Sequence, residues 1–433
     1  MSKKMLIISI DAMGASDLKG DLDHLPTLKS IQEKGSHIAN IRGVYPSVTY
    51  PAHSTIITGV YPNRHGIINN TKLQPGRKSP DWYWYKKDIK VPTLLDVAHK
   101  KGLTTAAFLW PVTAKDKIDY HIAEIFPNRI WTNQVLVAMQ ASSPWFLLRM
   151  NQRYGHLRQG IKQPYLDDFT IACAIDTLKH KKPDLTLVHL TDLDSMRHKY
   201  GVSSKEAIEA LKRQDIRVEK LLAALKEGGT FEETTVVVLG DHYQVDVNKL
   251  IRLNALFEKN GWLSSNTDGS VKRNWKVYAK SCDGSTYIYC KRGFGMLKEQ
   301  VKMLLQKTEG IEAVYDTAKT KKLGGDAKSM FMVEGKLNYF FVDEAIGEVV
   351  AKVQESEIGQ PDRYRAVHGY RPDRADYDTT LLIMGEGIKE NFQIDSAKMV
   401  DEAPTFAHIL GLDTFPKDID GQIIETVFTR DEG

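Results

Sequence analysis

At four places along the chain, an acidic or imidazole side chain stands at the end of a short apolar run. Asp11 follows Met5–Ile10, and Asp192, Asp194 and His198 follow Leu185–Leu190. Asp241 and His242 follow Thr235–Leu239, and His368 precedes Thr380–Met384. Imidazole suits zinc and its neighbours, and carboxylates compensate the cation's charge. Asp11, Asp194, Asp241, His198, His242 and His368 together exceed one tetrahedral site and suit two cations. Without a cation, such a group would repel or neutralise itself. Taken singly, each has a plainer reading. An aspartate after a strand often caps a helix, and Asp194 with His198 would simply share one helical face. The joint pattern is stronger than its parts, because four run ends all carry ligand-type side chains.

A fifth place offers a nucleophile. After a candidate strand at 37–44, the segment Val44–Gly59 carries Thr49 just ahead of Pro51. Proline suits a first helical turn, so Thr49 is expected at or beside a helix N-cap. There its hydroxyl faces the positive end of the helix dipole, where free N–H groups bind phosphate. A threonine hydroxyl needs activation, which a coordinated metal can supply. The plainer alternative is that Thr49 only caps the helix.

These residues need elements to position them. Met5–Ile10, Thr105–Leu109, Leu185–Leu190, Thr235–Leu239 and Thr380–Met384 are continuous apolar runs, the pattern of buried parallel strands. Helical patterns lie between them at 25–34, 92–101 and 205–225. The alternation predicts an α/β fold with a mostly parallel sheet flanked by helices. In such sheets ligands sit beyond the carboxyl ends of the strands, so the marked residues should converge on one edge. Two regions break the rhythm. Residues 112–165 are rich in aromatic and basic residues, including Trp131, Trp145 and Phe146, and residues 246–345 mix short strands with a basic helix near 296–307. Each is expected to be either an inserted lid or cap, or decoration of one core spanning 1–433.

The bulk numbers narrow the class. The chain has 433 residues, 42% hydrophobic and 26% charged, with a formal net charge of +4. That is ordinary for a globular protein and lacks the basic excess of a nucleic-acid binder. Three cysteines, Cys173, Cys282 and Cys290, form no CxxC and support neither a disulfide framework nor a cysteine zinc site. The apolar run after Lys3 and Lys4 stops at Asp11, too short for an export signal. No stretch approaches the roughly 18–20 apolar residues of a membrane span. The expectation is a cytoplasmic protein, a monomer or homodimer, without nucleic-acid or membrane partners.

The nucleophile segment resembles the signature of the nucleotide pyrophosphatase/phosphodiesterase family in the alkaline phosphatase superfamily. The matching residues are Pro46-Ser-Val-Thr49-Tyr50-Pro51-Ala52-His53, then Thr58-Gly-Val-Tyr-Pro62-Asn-Arg-His65-Gly66-Ile67. The other blocks follow in family order: Asp11, Asp194 with His198 and Gly201, Gly240-Asp241-His242, and His368-Gly369-Tyr370. Asp401–Thr405 and Leu410-Gly411-Leu412 resemble the superfamily's C-terminal helix.

The resemblance implies an alkaline-phosphatase-like core and assigns roles. Asp194, His198 and His368 would hold one metal. Asp11, Asp241 and His242 would hold the other, with the Thr49 oxygen. Asn70 and the Thr49 N–H would donate to a phosphoryl oxygen. Tyr50, Trp110 and His189 would line the substrate pocket, although a buried, satisfied His189 is an equal alternative. His53 and His65 would brace the loop. The chain departs from the family at His189, Arg197, Tyr243 and Gln244, which bears on nucleotide specificity. The implied activity is a two-metal phosphodiesterase or pyrophosphatase using Zn2+, or Mn2+, and a threonyl-phosphoryl intermediate on a small phosphorylated substrate such as a nucleotide. The alternatives are a phosphomonoesterase or phosphonate hydrolase on the same scaffold, or a non-catalytic ligand-binding protein.

Overall fold

The computed structural model describes residues 4–126, 128 and 133–429, so Trp131 lies outside the described residues. Its centre is an eight-stranded sheet. From one edge the strands are Phe392–Lys398, Ser36–Arg42, Thr379–Met384, Thr234–Leu239, Lys4–Ile10, Leu185–Leu190, Thr105–Phe108 and Tyr120–Ile122. The middle strands are buried on both faces, which is why they read as unbroken apolar runs. Alternate side chains feed two separate cores. Leu6, Ile8 and Ile10 meet Phe169, Val218 and Leu221 of the helices Tyr165–His180 and Lys205–Gly228. Met5 and Ile7 point the other way, to Ala52, Ile56, Leu94 and Phe406. Those residues belong to the helices Thr49–Ile56, Leu94–Lys100 and Glu402–Ile409.

The expected α/β class holds, with one correction. Thr379–Met384 runs antiparallel to both its neighbours, with Leu382 opposite Val238 and His37. A continuous apolar run reports burial on two faces and carries no direction. The chain returns to the sheet from the carboxyl edge, so this strand must start there and run back. The helix expected at 92–101 begins later, at Leu94. Thr93 caps it, accepting from the Asp96 N–H while the Asp96 carboxylate accepts from the Thr93 N–H.

Residues 112–165 supply the edge strand Tyr120–Ile122 and then the helices Gln134–Ala141 and Pro144–Tyr154. Within 246–345 stands a four-stranded antiparallel sheet: Ile311–Asp316, Phe331–Gly335, Ser285–Cys290 and Val277–Cys282. It has its own core around Phe257, Val277, Ile288 and Phe331. A third sheet matters for position. Val245–Ile251 pairs with Asn338–Phe341, Val350–Lys352 and Ala366–Val367. Its Val367–Val245 pairing brings His368 back beside His242. Among the described residues, no helix is long and apolar enough to cross a membrane.

Candidate active site

Three parallel strands end side by side, so the residues that follow them meet. Asp11 leaves Lys4–Ile10, and Asp241-His242 leaves Thr234–Leu239, its direct neighbour. His242 Nε2 lies 3.3 Å from Asp11 Oδ1 and 3.3 Å from Asp241 Oδ2. The other Asp241 oxygen accepts from the Ala12 N–H at 3.1 Å. Ala12 adopts a left-handed φ of 65° to make that contact, a strained conformation for a residue with a Cβ. Burial, with Asp194 nearby, pushes the Asp11 carboxyl well above the usual carboxylate range. Burial and Asp11 do the same to Asp241. Burial and His368 hold His242 well below the usual imidazole range.

A second set lies against the first. Asp194 and His198 sit one turn apart in the helix Asp192–Tyr200, with His198 Nε2 3.3 Å from Asp194 Oδ1. His198 Nδ1–H donates to the Ala366 carbonyl at 2.8 Å, which leaves Nε2 facing the site. The His368 ring lies 5.1 Å from that of His198 and 4.2 Å from that of His242. Burial acts downward on His198, but Asp194 carries it up to about 9. Burial acts upward on Asp194, but His198 holds it low. Burial and then His198 push His368 down to about 3. Gly369 lets this loop press on the hairpin at 282–285, where a Cβ would meet the Cys282 carbonyl at 1.6 Å.

Thr49 is the first residue of its helix, and its Oγ1 lies 3.1 Å from His242 Nε2. The hydroxyl therefore serves the donor set and makes no cap. Asn70 Oδ1 accepts from the Tyr50 N–H at 2.9 Å, so its NH2 is the end presented to the pocket. A cavity of about 1260 Å³ opens over Asp11, Thr49, Asn70, Asp194, His198 and His368. Tyr50 is on its wall, 5.2 Å from the Trp82 ring, and Trp82 lines it too.

Two expected pocket residues do not line this cavity. Trp110 is fully buried and meets His53 edge-on at 4.8 Å. His189 is also fully buried, with Nε2 3.1 Å from Asp11 Oδ2 and Nδ1 3.2 Å from the Leu109 carbonyl, so it braces Asp11. His53 and His65 are loop braces. His53 Nδ1 donates to the Thr49 carbonyl at 2.8 Å and Nε2 meets Ser9 Oγ at 2.9 Å, while His65 Nε2 meets Thr55 Oγ1 at 3.1 Å. Although His53, His189 and Asp241 also cluster, both nitrogens of each histidine are already engaged. Asp192 is taken by Arg213 at 2.7 Å and Arg217 at 2.9 Å, and stands outside the donor sets.

The unusual residues at 197 and 243 lie behind the donors. Arg197 bonds the Ala12 carbonyl, pairs with Asp17 at 2.5 Å and stacks on Tyr243 at 5.0 Å. Gly14 makes room, since a Cβ there would meet the Tyr243 ring at 2.2 Å. Neither Arg197 nor Tyr243 lines the cavity. Sequence reasoning missed two participants, Asp283 and Glu124, and the role of a third, Gln244. Gln244 Nε2 donates to Asp194 Oδ1. Asp283 Oδ2 stands 3.4 Å from His368 Nδ1. Glu124 lines the cavity near Tyr50, with burial pushing it to about 7. The Asp283-Gly284 pair is a readable hairpin turn, but only the fold aims it at His368.

The donor set suits bound cations. Asp11 Oδ1 and Asp241 Oδ2, the oxygens that face His242 Nε2, are buried without a hydrogen-bond partner. Buried polar atoms are rarely left so. Donor atoms of Asp194, His198 and His368, and again of Asp11, Asp194 and His242, lie within 4.8 Å of one another. These residues can hold metal, and Asp194 joins the two groups.

Comparison with known proteins gives the chain a family. The family model "Type I phosphodiesterase / nucleotide pyrophosphatase" matches residues 5–363. Human ectonucleotide pyrophosphatase/phosphodiesterase family member 1 is 28% identical over 262 residues, covering 58% of this chain and 24% of that protein. Venom phosphodiesterase 2 of Crotalus adamanteus is 26% identical over 255 residues, covering 56% and 27%. The match thus spans about a quarter of these relatives' length. The structure of human ectonucleotide pyrophosphatase/phosphodiesterase 5 superposes with a TM-score of 0.69 at 19% identity, covering 99% of this chain and all of that one. The murine counterpart, an inactive variant in complex with AMP, gives 0.68 at 17% identity over 99% of this chain and all of that one. The chain belongs to the type I phosphodiesterase/nucleotide pyrophosphatase family of the alkaline phosphatase superfamily.

Proposed function

We propose that this chain is a two-metal phosphodiesterase in which Thr49 is the nucleophile. The observation that carries this reading is the Thr49 hydroxyl, 3.1 Å from His242 Nε2, at a helix N-terminus that opens into the cavity. Asp194, His198 and His368 would hold one divalent cation, and Asp11, Asp241 and His242 the other, with Zn2+ the best match to imidazole and carboxylate and Mn2+ the next. Bound there, the cations would lower the pKa of the Thr49 hydroxyl and of water and offset charge on the apical oxygens. Thr49 Oγ1 attacks phosphorus as the ester oxygen departs, leaving a threonyl phosphodiester. Water then attacks the same phosphorus, the bond to Thr49 breaks, and a phosphate monoester is released. The Asn70 NH2 and the Thr49 N–H donate to a non-bridging oxygen throughout.

The cavity extends well beyond the donors, which favours a diester or pyrophosphate over a simple monoester. Tyr50 and Trp82 give it an aromatic wall suited to a planar group such as a nucleobase. AMP bound in the murine relative supports a nucleotide substrate. The free thiols of Cys173, Cys282 and Cys290 suit a reducing compartment, and we assign the chain to the cytoplasm, which fractionation of cells would check.

The decisive experiment measures metal content and turnover of bis-p-nitrophenyl phosphate against the monoester. Faster cleavage of the diester supports the reading, whereas a faster monoester moves the chain to the phosphomonoesterases. Thr49→Ala should retain metal and lose at least roughly a thousandfold in turnover. Full activity in that variant would end the nucleophile assignment.

A further inference from the structure

The segment between the central sheet's edge and the helix Tyr165–His180 has an outer face that the catalytic reading does not use. We propose that this face, built on the helices Gln134–Ala141 and Pro144–Tyr154 and the loop after them, docks onto an anionic lipid surface. This departs from the expectation of a chain without membrane partners.

Exposed apolar side chains are concentrated in this segment, whose two helices pack against each other. Of the fourteen large apolar side chains exposed among the described residues, six fall between 135 and 165. Val135 and Leu136 are each 60% exposed, Trp145 82%, Leu148 47% and Ile161 69%, with Tyr165 the sixth at 39%. Single exposed apolar residues are ordinary, but a cluster marks an interaction surface. The helix Pro144–Tyr154 is two-sided. Leu147 and Met150 are buried and join the core, whereas Trp145 and Leu148 face out beside Arg149.

Charge decides what covers this face. Residues 125–166 hold four arginines and a lysine and not one aspartate or glutamate, in a chain with 55 acidic residues. Arg153 is used internally, paired with Asp176 at 2.5 Å, and Arg158 bonds Asn151 and stacks on Phe169. Arg149 and Lys162, both exposed, make no ion pair among the described residues. A second copy of the chain would set these cations against their own kind, because residues 125–166 carry no acid to meet them and Asp168, just beyond, is already bound by Arg217 at 2.7 Å. Anionic headgroups meet them directly, while tryptophan and leucine enter the interface between headgroups and acyl chains.

The face is also continuous with the cavity. Ile161 is both exposed and part of the cavity wall, and Leu147 and Arg158 line the same wall. The cavity therefore opens beside the docking face.

The test is co-sedimentation of the full chain with phosphatidylglycerol–phosphatidylcholine vesicles and with phosphatidylcholine vesicles alone. Binding should require phosphatidylglycerol and weaken as salt is added. The pair Arg149→Glu and Lys162→Glu should weaken binding by on the order of tenfold or more, and Trp145→Ser with Leu148→Ser should weaken it further. Both double variants should cleave bis-p-nitrophenyl phosphate as the parent does and keep its melting temperature, which shows that they fold. Equal binding to both vesicle types, no binding to either, or unchanged binding by the variants overturns the proposal. A dimer in solution that Trp145→Ser dissolves, with no vesicle binding by the parent, assigns the face to a second copy and also overturns it.

Discussion

The two halves of the donor cluster solve the same problem in opposite ways. Asp194 and His198 form an ion pair, with the carboxyl held low and the imidazole raised to about 9. They compensate each other before any cation arrives. Asp11, Asp241 and His242 sit deeper, with side chains 5%, 0% and 0% exposed. There the carboxyls are pushed up and the imidazole down, so burial empties the set of charge. The half holding Thr49 therefore depends more on a cation. Its carboxylates become stable only when a positive charge replaces the water they lost.

Substitutions put this contrast at risk. If Asp11 and Asp241 hold a cation beside Thr49, as proposed, Asp11→Asn and Asp241→Asn should abolish its binding and cost on the order of a hundredfold or more in turnover, as read by metal content and diester hydrolysis. Retention of both metals by either variant would place Thr49's partner elsewhere.

In the metal-free protein the two halves should diverge in stability. A carboxyl whose folded pKa is raised holds a proton that the unfolded chain releases above about pH 4, so it costs stability as pH rises from there. Asp11→Asn removes that cost and should melt higher than the parent at neutral pH. Asp194 works the other way. Its depressed pKa adds stability above about pH 4 that is lost in acid, and the raised pKa of His198 adds stability that fades as pH climbs through about 9. Asp194→Asn should therefore melt lower, by the equivalent of about 1–3 kcal/mol. Thermal melts in chelator from about pH 5 to about pH 9 decide the matter. Equal shifts for both variants would dissolve the contrast.

Smaller effects come from the braces. His189 supports Asp11 and Gln244 supports Asp194. Removing each by alanine should weaken metal binding at its own half by roughly 10–100-fold, read by metal titration of each variant. The smallest effect on catalysis should come from Arg197→Met. That variant loses the contacts to Asp17 and Tyr243 and so loses stability, but its diester-to-monoester rate ratio should match the parent's, because Arg197 stands behind the site. A changed ratio would make it a specificity residue.

Much of this site is legible in the sequence. Thr49 opens a helix, and Asp11, Asp194, His198, Asp241 and His242 follow apolar runs whose parallel strands bring those ends to one edge, whereas His368 is delivered by the antiparallel pairing of Ala366–Val367 with Val245–Ile251. The braces are not legible. Ala12 reaches Asp241 across 229 positions, Gln244 reaches Asp194 across 50, and Asp283 reaches His368 across 85. Sequence pattern reports burial and periodicity, and neither specifies a partner so far away.

The candidate chemistry was therefore legible in the amino-acid order: a hydroxyl at a helix start and six side chains of metal-binding type, because local pattern controls which residues end a strand or open a helix. Long-range packing decided the rest. It set which donors share a half, it placed the Thr49 hydroxyl beside His242, and it left Trp110, His189, Arg197 and Tyr243 supporting the cavity from outside. Those contacts join residues far apart in the chain, so they exist only once the sheet has formed.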